Sequence, residues 1–185
     1  HRDLHSFPTR RSSDLGESEA NVGGFINDDP GKAVSLTDKG RSQAAAAAES
    51  LRAIPFSHAY ASEFPRARQT AEIILTRRSL ALTIDARLNE RRSGLDGQPV
   101  EAFNGLVRAD PARIRPVRGE SFLEQVERLR GFLDDIARRH PDAVVLAVSH
   151  ENPILAAGAA AGGDLEAAAR GGLGNCEYLR LDWPG

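Results

Sequence analysis

A single cysteine, Cys176, rules out any intrachain disulfide in this 185-residue chain. Its stability must therefore come from packing, and a reducing, cytoplasmic setting is expected. Cys176 itself reads as a small apolar residue near the last strand. No apolar run approaches the ~20 residues that a membrane span needs. The first residues are polar and basic with no hydrophobic segment, so they do not read as a secretory leader. An excess of one charge is also lacking: 24 Lys and Arg face 26 Asp and Glu, for a formal net charge of -2 and a pI near 6.2. This balance gives no reason to expect nucleic acid or a membrane surface as partner. The sequence has no internal repeat and no metal-ligand cluster, so neither a metal nor another cofactor is expected. Oligomeric state is not legible.

What is present suits one compact domain with a sizeable core, since 41% of the residues are hydrophobic. From Gly16 onward, helical and extended patterns alternate. Thr37 caps an alanine-rich helix through Leu51. Ser57 to Ala61 is a short strand, and a helix from Pro65 to about Arg77 starts on its proline. Leu82 to Ile84 reads as a strand and Val100 to Val107 as a helix. Phe122, Val126, Leu129, Phe132, Leu133 and Ile136 form an apolar stripe at helical spacing, placing a core-facing helix at about Ser121 to Arg139. The run Ala143 to Ser149 is apolar throughout, as in a strand covered on both faces. A helix over Asn152 to Ala161 and a strand over Cys176 to Leu181 complete the pattern. Such alternation predicts a three-layer α/β sandwich, with helices on both faces of a mostly parallel sheet.

Residues 1–15 do not share this order. His-Arg-Asp-Leu-His-Ser-Phe-Pro-Thr-Arg-Arg-Ser-Ser-Asp-Leu has neither strand alternation nor a helical stripe, and it carries a central proline. The segment resembles the translation of a sequencing adapter whose final dinucleotide, CT, encodes leucine whatever base follows. It is read as a non-native segment, with the domain proper at residues 16–185.

Open α/β sheets bind ligands where strands end and helices begin, and three such junctions carry unusual polar residues. At Gly16-Glu17-Ser18-Glu19-Ala20-Asn21, glycine permits close backbone approach, and Ser18 and Asn21 can donate to an oxyanion. Taken alone this is a weak signal, because Gly119-Glu120-Ser121 repeats it where helix capping by Ser121 suffices. At the second junction Arg66 falls in the first turn of a helix, where its guanidinium and the free N–H groups can face one anion together. Arg68 reads as a solvated arginine. The third is Val148-Ser149-His150-Glu151-Asn152, which places a histidine at the carboxyl edge of a buried strand. A lone histidine there is as often structural as functional.

Together these segments resemble the histidine phosphatase superfamily, also called phosphoglycerate mutase-like. The resemblance runs from Gly16 to the C-terminus. It rests on Gly16-Glu17-Ser18 with Asn21, Leu36 to Ala44, Ser62 with Arg66 to Ala71, Leu88-Asn89-Glu90-Arg91, Gly119-Glu120-Ser121, and Ser149-His150, all in order. It implies hydrolysis of a small phosphorylated substrate, a phosphomonoester, through a phosphohistidine intermediate, with no metal or other cofactor. Arg66 would hold the phosphoryl oxygens. A protonated His150 would touch the same oxygens, and Asn21 would add a neutral donor. Glu90 would give its proton to the leaving alcohol and then activate water; without the family it reads as a loop carboxylate paired with Arg91 or Arg92.

Two departures stand out. Glu151 follows His150 where the family usually has glycine. Its carboxylate must point away from a dianion, although its backbone N–H can still serve as a phosphate contact alongside Gly16 and Ser18. The larger departure is Asp14-Leu15, where the family has Arg-His. If the adapter's CT replaced the first two bases of a histidine codon, Leu15 is the remnant of the nucleophile, and the chain as it stands is inactive. The first strand is then missing or replaced, and the chain is expected to be poorly stable and aggregation-prone unless Arg10 to Leu15 fill the slot. No other histidine replaces the nucleophile: His1 and His5 lie in the anomalous segment, His58 reads as structural, and His140 ends a helix whose dipole it complements. A mutase-type phosphotransferase is the alternative. The 60 positions between Glu90 and His150 leave little room for the insertion that mutases of the family tend to carry. A non-catalytic phosphate-ligand binder is the other alternative. Substrate selection is expected to lie in Ser93 to Pro116.

Overall fold

The computed structural model describes residues 16–183 and the backbone of Thr9–Asp14. Five strands form one sheet: β1 (Thr9–Asp14), β2 (His58–Ala61), β3 (Leu82–Ile84), β4 (Val145–Ser149) and β5 (Tyr178–Asp182). Their spatial order is β3-β2-β4-β1-β5, parallel throughout except for β5, which runs antiparallel to β1. The helices are α1 (Glu19–Gly23), α2 (Asp38–Ser50), α3 (Pro65–Leu75), α4 (Val100–Val107), α5 (Phe122–Arg139), α6 (Glu151–Ala160) and α7 (Leu165–Ala169). A 3-10 turn covers Ala86–Leu88.

β4 shows why the sheet is covered on both faces. All five of its residues are buried, and successive side chains alternate between faces. Val145 and Ala147 pack with Tyr60 and with the stripe of α5, joined by Ala156, Ala157 and Ala160 of α6. Leu146 and Val148 pack on the other side with Ala67, Ala71 and Ile74 of α3 and Ala47 of α2. The result is the expected three-layer sandwich. Small alanines of α2, α3 and α6 are buried in the two cores, while Phe122, Leu129 and Phe132 fill the space under α5.

The capping signals sit where the sequence puts them. Thr37 Oγ1 accepts from Gly40 N at 3.0 Å and starts α2. Ser121 and Glu124 form a reciprocal capping box at the start of α5. Several boundaries differ by a residue or two from the sequence reading, as frayed ends do. At the end of α3, Arg78 leaves the helix and donates to Leu51 O and Ile54 O. Cys176 lies before β5 with φ 59°, outside the strand predicted to begin there, and packs partly buried against the α2–α3 core. Two short helices were not expected. α1 hides inside the segment read as a ligand turn, and α7 has no buried residue and hence no stripe to betray it.

β1 is the first strand among the described residues, and its backbone fills the slot between β4 and β5. Arg10 pairs with Val145 and Asp14 with Ser149 in parallel register. Leu15, the position of the expected nucleophile, lies outside the described residues, as do His1 and His5. His58 and His140 stack with ring centroids 3.6 Å apart, and His140 Nε2 lies 2.8 Å from Tyr60 Oη. Both stand at the opposite end of the sheet from the carboxyl edge, as β2 and β4 run parallel away from them.

Candidate active site

The carboxyl ends of β2 and β4 deliver the polar residues. β2 ends in Ala61, and Ser62 and Phe64 lead directly into α3, so Arg66 occupies its first turn. β4 ends in Ser149, and His150 is the residue that caps α6. Arg66 is 5% exposed and His150 1%. Burying a guanidinium and an imidazole together requires partners, and the sequence supplies them nearby. Arg66 Nη1 donates to Asn27 Oδ1 and Nη2 to Asn27 O at 3.3 Å. Nη2 also lies 3.3 Å from His150 Nδ1. The Phe64 ring sits under the guanidinium at 4.5 Å and against the imidazole edge at 4.8 Å.

This geometry sets the histidine tautomer. A guanidinium has only donors to offer, so Nδ1 is the acceptor. Nε2 then carries the hydrogen and donates to Ser62 Oγ at 2.8 Å. Burial, followed by the positive charge of Arg66, pushes the His150 pKa well below its usual value, so the ring is neutral in the empty pocket.

Glu90 approaches from the loop after the 3-10 turn. Ser149 Oγ donates to Leu88 O at 2.6 Å and fastens that loop to the sheet edge. Arg128 of α5 fixes it from beneath, donating to Arg87 O at 2.6 Å and Asn89 O at 3.0 Å. Glu90 Oε1 accepts from the backbone N–H of Arg91 at 2.7 Å and from Asn152 Nδ2 at 3.3 Å, while Oε2 lies 3.9 Å from His150 Nδ1. The guanidinium of Arg91 does not pair with Glu90. It turns to the carbonyls of Glu120, Pro111 and Ile114, and Arg92 approaches Glu120 instead. Burial raises the Glu90 carboxyl above its usual range, against the opposing pull of Arg91 N–H and Arg66. Glu90 and His150 are thus both driven toward their neutral forms, leaving Arg66 as the charge at the centre of the group.

These residues share one cavity of about 480 Å3, with Asn21, Ser18 and Asn27 on one side. Phe103, Asn104 and Val107 of α4 form another wall, and Arg170, Gly172 and Leu173 line it as well. α4 lies within Ser93 to Pro116, the segment expected to carry selection.

The first junction contributes less directly. Gly16 N donates to Thr70 Oγ1 at 3.3 Å. A Cβ on Gly16 would meet Gly40 O at 2.2 Å, so the close approach it permits is to another backbone. Ser18 is buried, and its hydroxyl donates to Asn21 Oδ1 at 2.8 Å. This capping interaction leaves the NH2 group of Asn21 as the part of that side chain available to a ligand. Glu151 does turn its carboxylate away: Oε1 accepts from Gly172 N at 2.7 Å and Leu173 N at 3.1 Å. Arg68 is exposed, as read. Asn27, Asn152 and the pairing role of Ser62 escaped sequence reasoning, because their partners lie 39, 62 and 88 positions away. Among the described residues, no group of His, Cys, Asp and Glu is arranged to hold a metal ion, and no helix is long and apolar enough to cross a membrane.

The chain is similar to several known phosphatases. The chain is 35% identical over 135 residues to fructose-2,6-bisphosphatase TIGAR B of Danio rerio, covering 65% of this chain and 52% of that protein. It spans about half the length of the TIGAR proteins it matches. It is 32% identical over 146 residues to the adenosylcobalamin/alpha-ribazole phosphatase of Salmonella typhimurium, covering 74% of this chain and 70% of that one. The solved structure of a mycobacterial glucosyl-3-phosphoglycerate phosphatase complexed with VO3 matches with a TM-score of 0.83 at 26% identity, over 94% of this chain and 92% of its own. The family model for the histidine phosphatase superfamily (branch 1) matches residues 16–185, and the chain belongs to that superfamily.

Proposed function

We propose that residues 16–185 form the pocket of a phosphomonoester hydrolase that works through a phosphohistidine, and that Leu15 stands where the attacking histidine belongs. The observation that carries this reading is the meeting of the buried Arg66 and His150 with the partly buried Glu90 at the carboxyl edge of the sheet. A phosphoryl dianion entering beside Arg66 meets a ready-made positive charge in a low-dielectric cavity. Its arrival also favours protonation of His150, turning Nδ1 from acceptor to donor. Asn21 and the backbone N–H of Glu151, in the first turn of α6, add neutral donors, with Gly16 and Ser18 shaping the turn beside them.

Glu90 suits proton transfer because burial keeps its carboxyl protonated to higher pH than usual. It would deliver that proton to the leaving oxygen and then, as carboxylate, take one from the attacking water. The backbone of Thr9–Asp14 ends beside Ser149, and position 15 of the sequence is where the family resemblance puts the attacking histidine. Leucine offers no lone pair there. On this reading the chain as it stands holds phosphate esters without turning them over, and residues 1–15 are an adapter-encoded segment in place of the natural strand. The short α4 wall and the close spacing of Glu90 and His150 favour transfer to water over the mutase alternative.

The test is the double substitution Asp14→Arg with Leu15→His, assayed with an aryl phosphate. Phosphate release is expected to rise on the order of 10^3-fold or more, with an acid-labile, base-stable phosphoryl group trapped on the protein at early times. Release without any protein-bound phosphoryl group, or no gain in a folded double variant, overturns the proposal.

A further inference from the structure

Glu151 occupies a position that the mechanism uses only through its backbone, yet its side chain has a defined task. Its Oε1 gathers the N–H groups of Gly172 and Leu173, the two-donor cradle that turns of this kind offer an anion. The turn depends on glycine: Gly171 has φ 82° and Gly172 φ 130°. A Cβ on Gly171 would also lie 3.1 Å from Glu151 Oε1. The carboxylate beside His150 thereby ties a segment 21 and 22 positions downstream to the pocket, and Arg170, Gly172 and Leu173 become cavity wall.

The cavity that would receive the phosphate carries arginine beyond Arg66. Its charged side chains are Arg66, Arg91, Arg170, Glu90 and Glu151. Glu90 is driven toward its neutral form, Glu151 is engaged by the two N–H groups, and the donors of Arg91 are directed at carbonyls. Arg170 is exposed at the end of α7 and belongs to no ion pair among the described residues. We infer that Glu151 is a positioning residue that pins the 170–173 turn, so that Arg170 meets a second anionic group on the phosphorylated substrate. This rests on the phosphate-pocket reading above and adds to it a substrate class: phosphomonoesters whose alcohol portion carries a negative charge.

The chain's lack of a nucleophile makes equilibrium binding a direct test. Dissociation constants would be measured for orthophosphate, glycerol 3-phosphate and 3-phosphoglycerate, the last two differing in a carboxylate. Arg170→Ala and Glu151→Gly are each expected to weaken 3-phosphoglycerate about fivefold, the size of a rim ion pair. In Arg170→Ala, orthophosphate and glycerol 3-phosphate should change less than about twofold on the same scale. Glu151→Gln keeps the Oε1 acceptor and should stay near the parent. Amide exchange at Gly172 and Leu173 should quicken about tenfold in Glu151→Gly and little in Glu151→Gln. Equal losses for all three ligands in Arg170→Ala, or no loss for 3-phosphoglycerate in that variant, overturn the inference. Should the parent fail to bind orthophosphate, the phosphate-pocket reading falls, and the exchange measurement still decides whether Glu151 pins the turn. If Glu151→Gly does not fold, Arg170→Ala and Glu151→Gln carry the test.

Discussion

β4 and β1 lie side by side in parallel register at the middle of the sheet, and they could hardly differ more in sequence. β4 is Val-Leu-Ala-Val-Ser, every residue buried between two helical layers. β1 is Thr-Arg-Arg-Ser-Ser-Asp, a composition expected at an edge or in a loop. The same backbone hydrogen bonding accommodates both, because N–H and C=O groups in an open slot must be satisfied whatever side chains come with them. The contrast separates two contributions that usually coincide: ladder bonding secures the place of a strand, whereas apolar burial supplies its stability.

The largest test of that separation removes β4's share. Leu146→Ala, at a fully buried position, should cost about 2–5 kcal/mol in urea unfolding; a loss below about 1 kcal/mol would mean that the sheet does not depend on the burial of β4. The reverse substitution set gives β1 what it lacks. Replacing Arg10, Arg11, Ser12 and Ser13 together with valine or isoleucine should add about 1–3 kcal/mol and reduce aggregation. No gain would show that the polar sequence costs the slot nothing.

A third test uses pH, with His150, the residue after β4, as the reporter. His150 has its folded pKa depressed below its unfolded value, so the unfolded chain takes up a proton first as pH falls through about 6.5. Its contribution to stability is complete above that pH and declines below it, by at most about 1.4 kcal/mol per unit. Urea midpoints between pH 7.5 and 5.5 should therefore fall more steeply in the parent than in His150→Asn. Equal slopes would mean that His150 accepts its proton as readily folded as unfolded. The smallest effect is a control outside both strands: Thr37→Ala should cost about 1 kcal/mol by removing the cap of α2, with no change in that pH slope.

The same contrast explains what could be read from the sequence. The helices announced themselves through local physics, in Thr37 and Ser121 as caps and in the stripe from Phe122 to Ile136. β4 was legible because only a doubly covered strand tolerates such a run. The place of β1 was not, since nothing in Thr-Arg-Arg-Ser-Ser-Asp favours a central strand and only the vacancy between β4 and β5 puts it there. In the site, Arg66, Glu90 and His150 were legible through the motifs that carry the family resemblance. Asn27 and Asn152 were not, because an asparagine in a loop gives no local sign that a distant arginine or glutamate will need it. Glu151 was partly legible: its carboxylate had to turn away from a phosphate, but the two N–H groups that receive it depend on a glycine turn far along the chain.

The end of β4 has one further consequence. A strand that is apolar on both faces carries little information about its own alignment, since sliding it by one residue exchanges one hydrophobic surface for another. Four consecutive residues supply that information. Ser149 bonds to Leu88 O, His150 faces Ser62 and Arg66, Glu151 holds Gly172 and Leu173, and Asn152 reaches Glu90. A slip of a single step would break all of these attachments at once, in three separate parts of the chain. The polar tip of the strand is thus a combination that only one alignment satisfies, and the folding of the sheet is proofread by the residues that build the pocket.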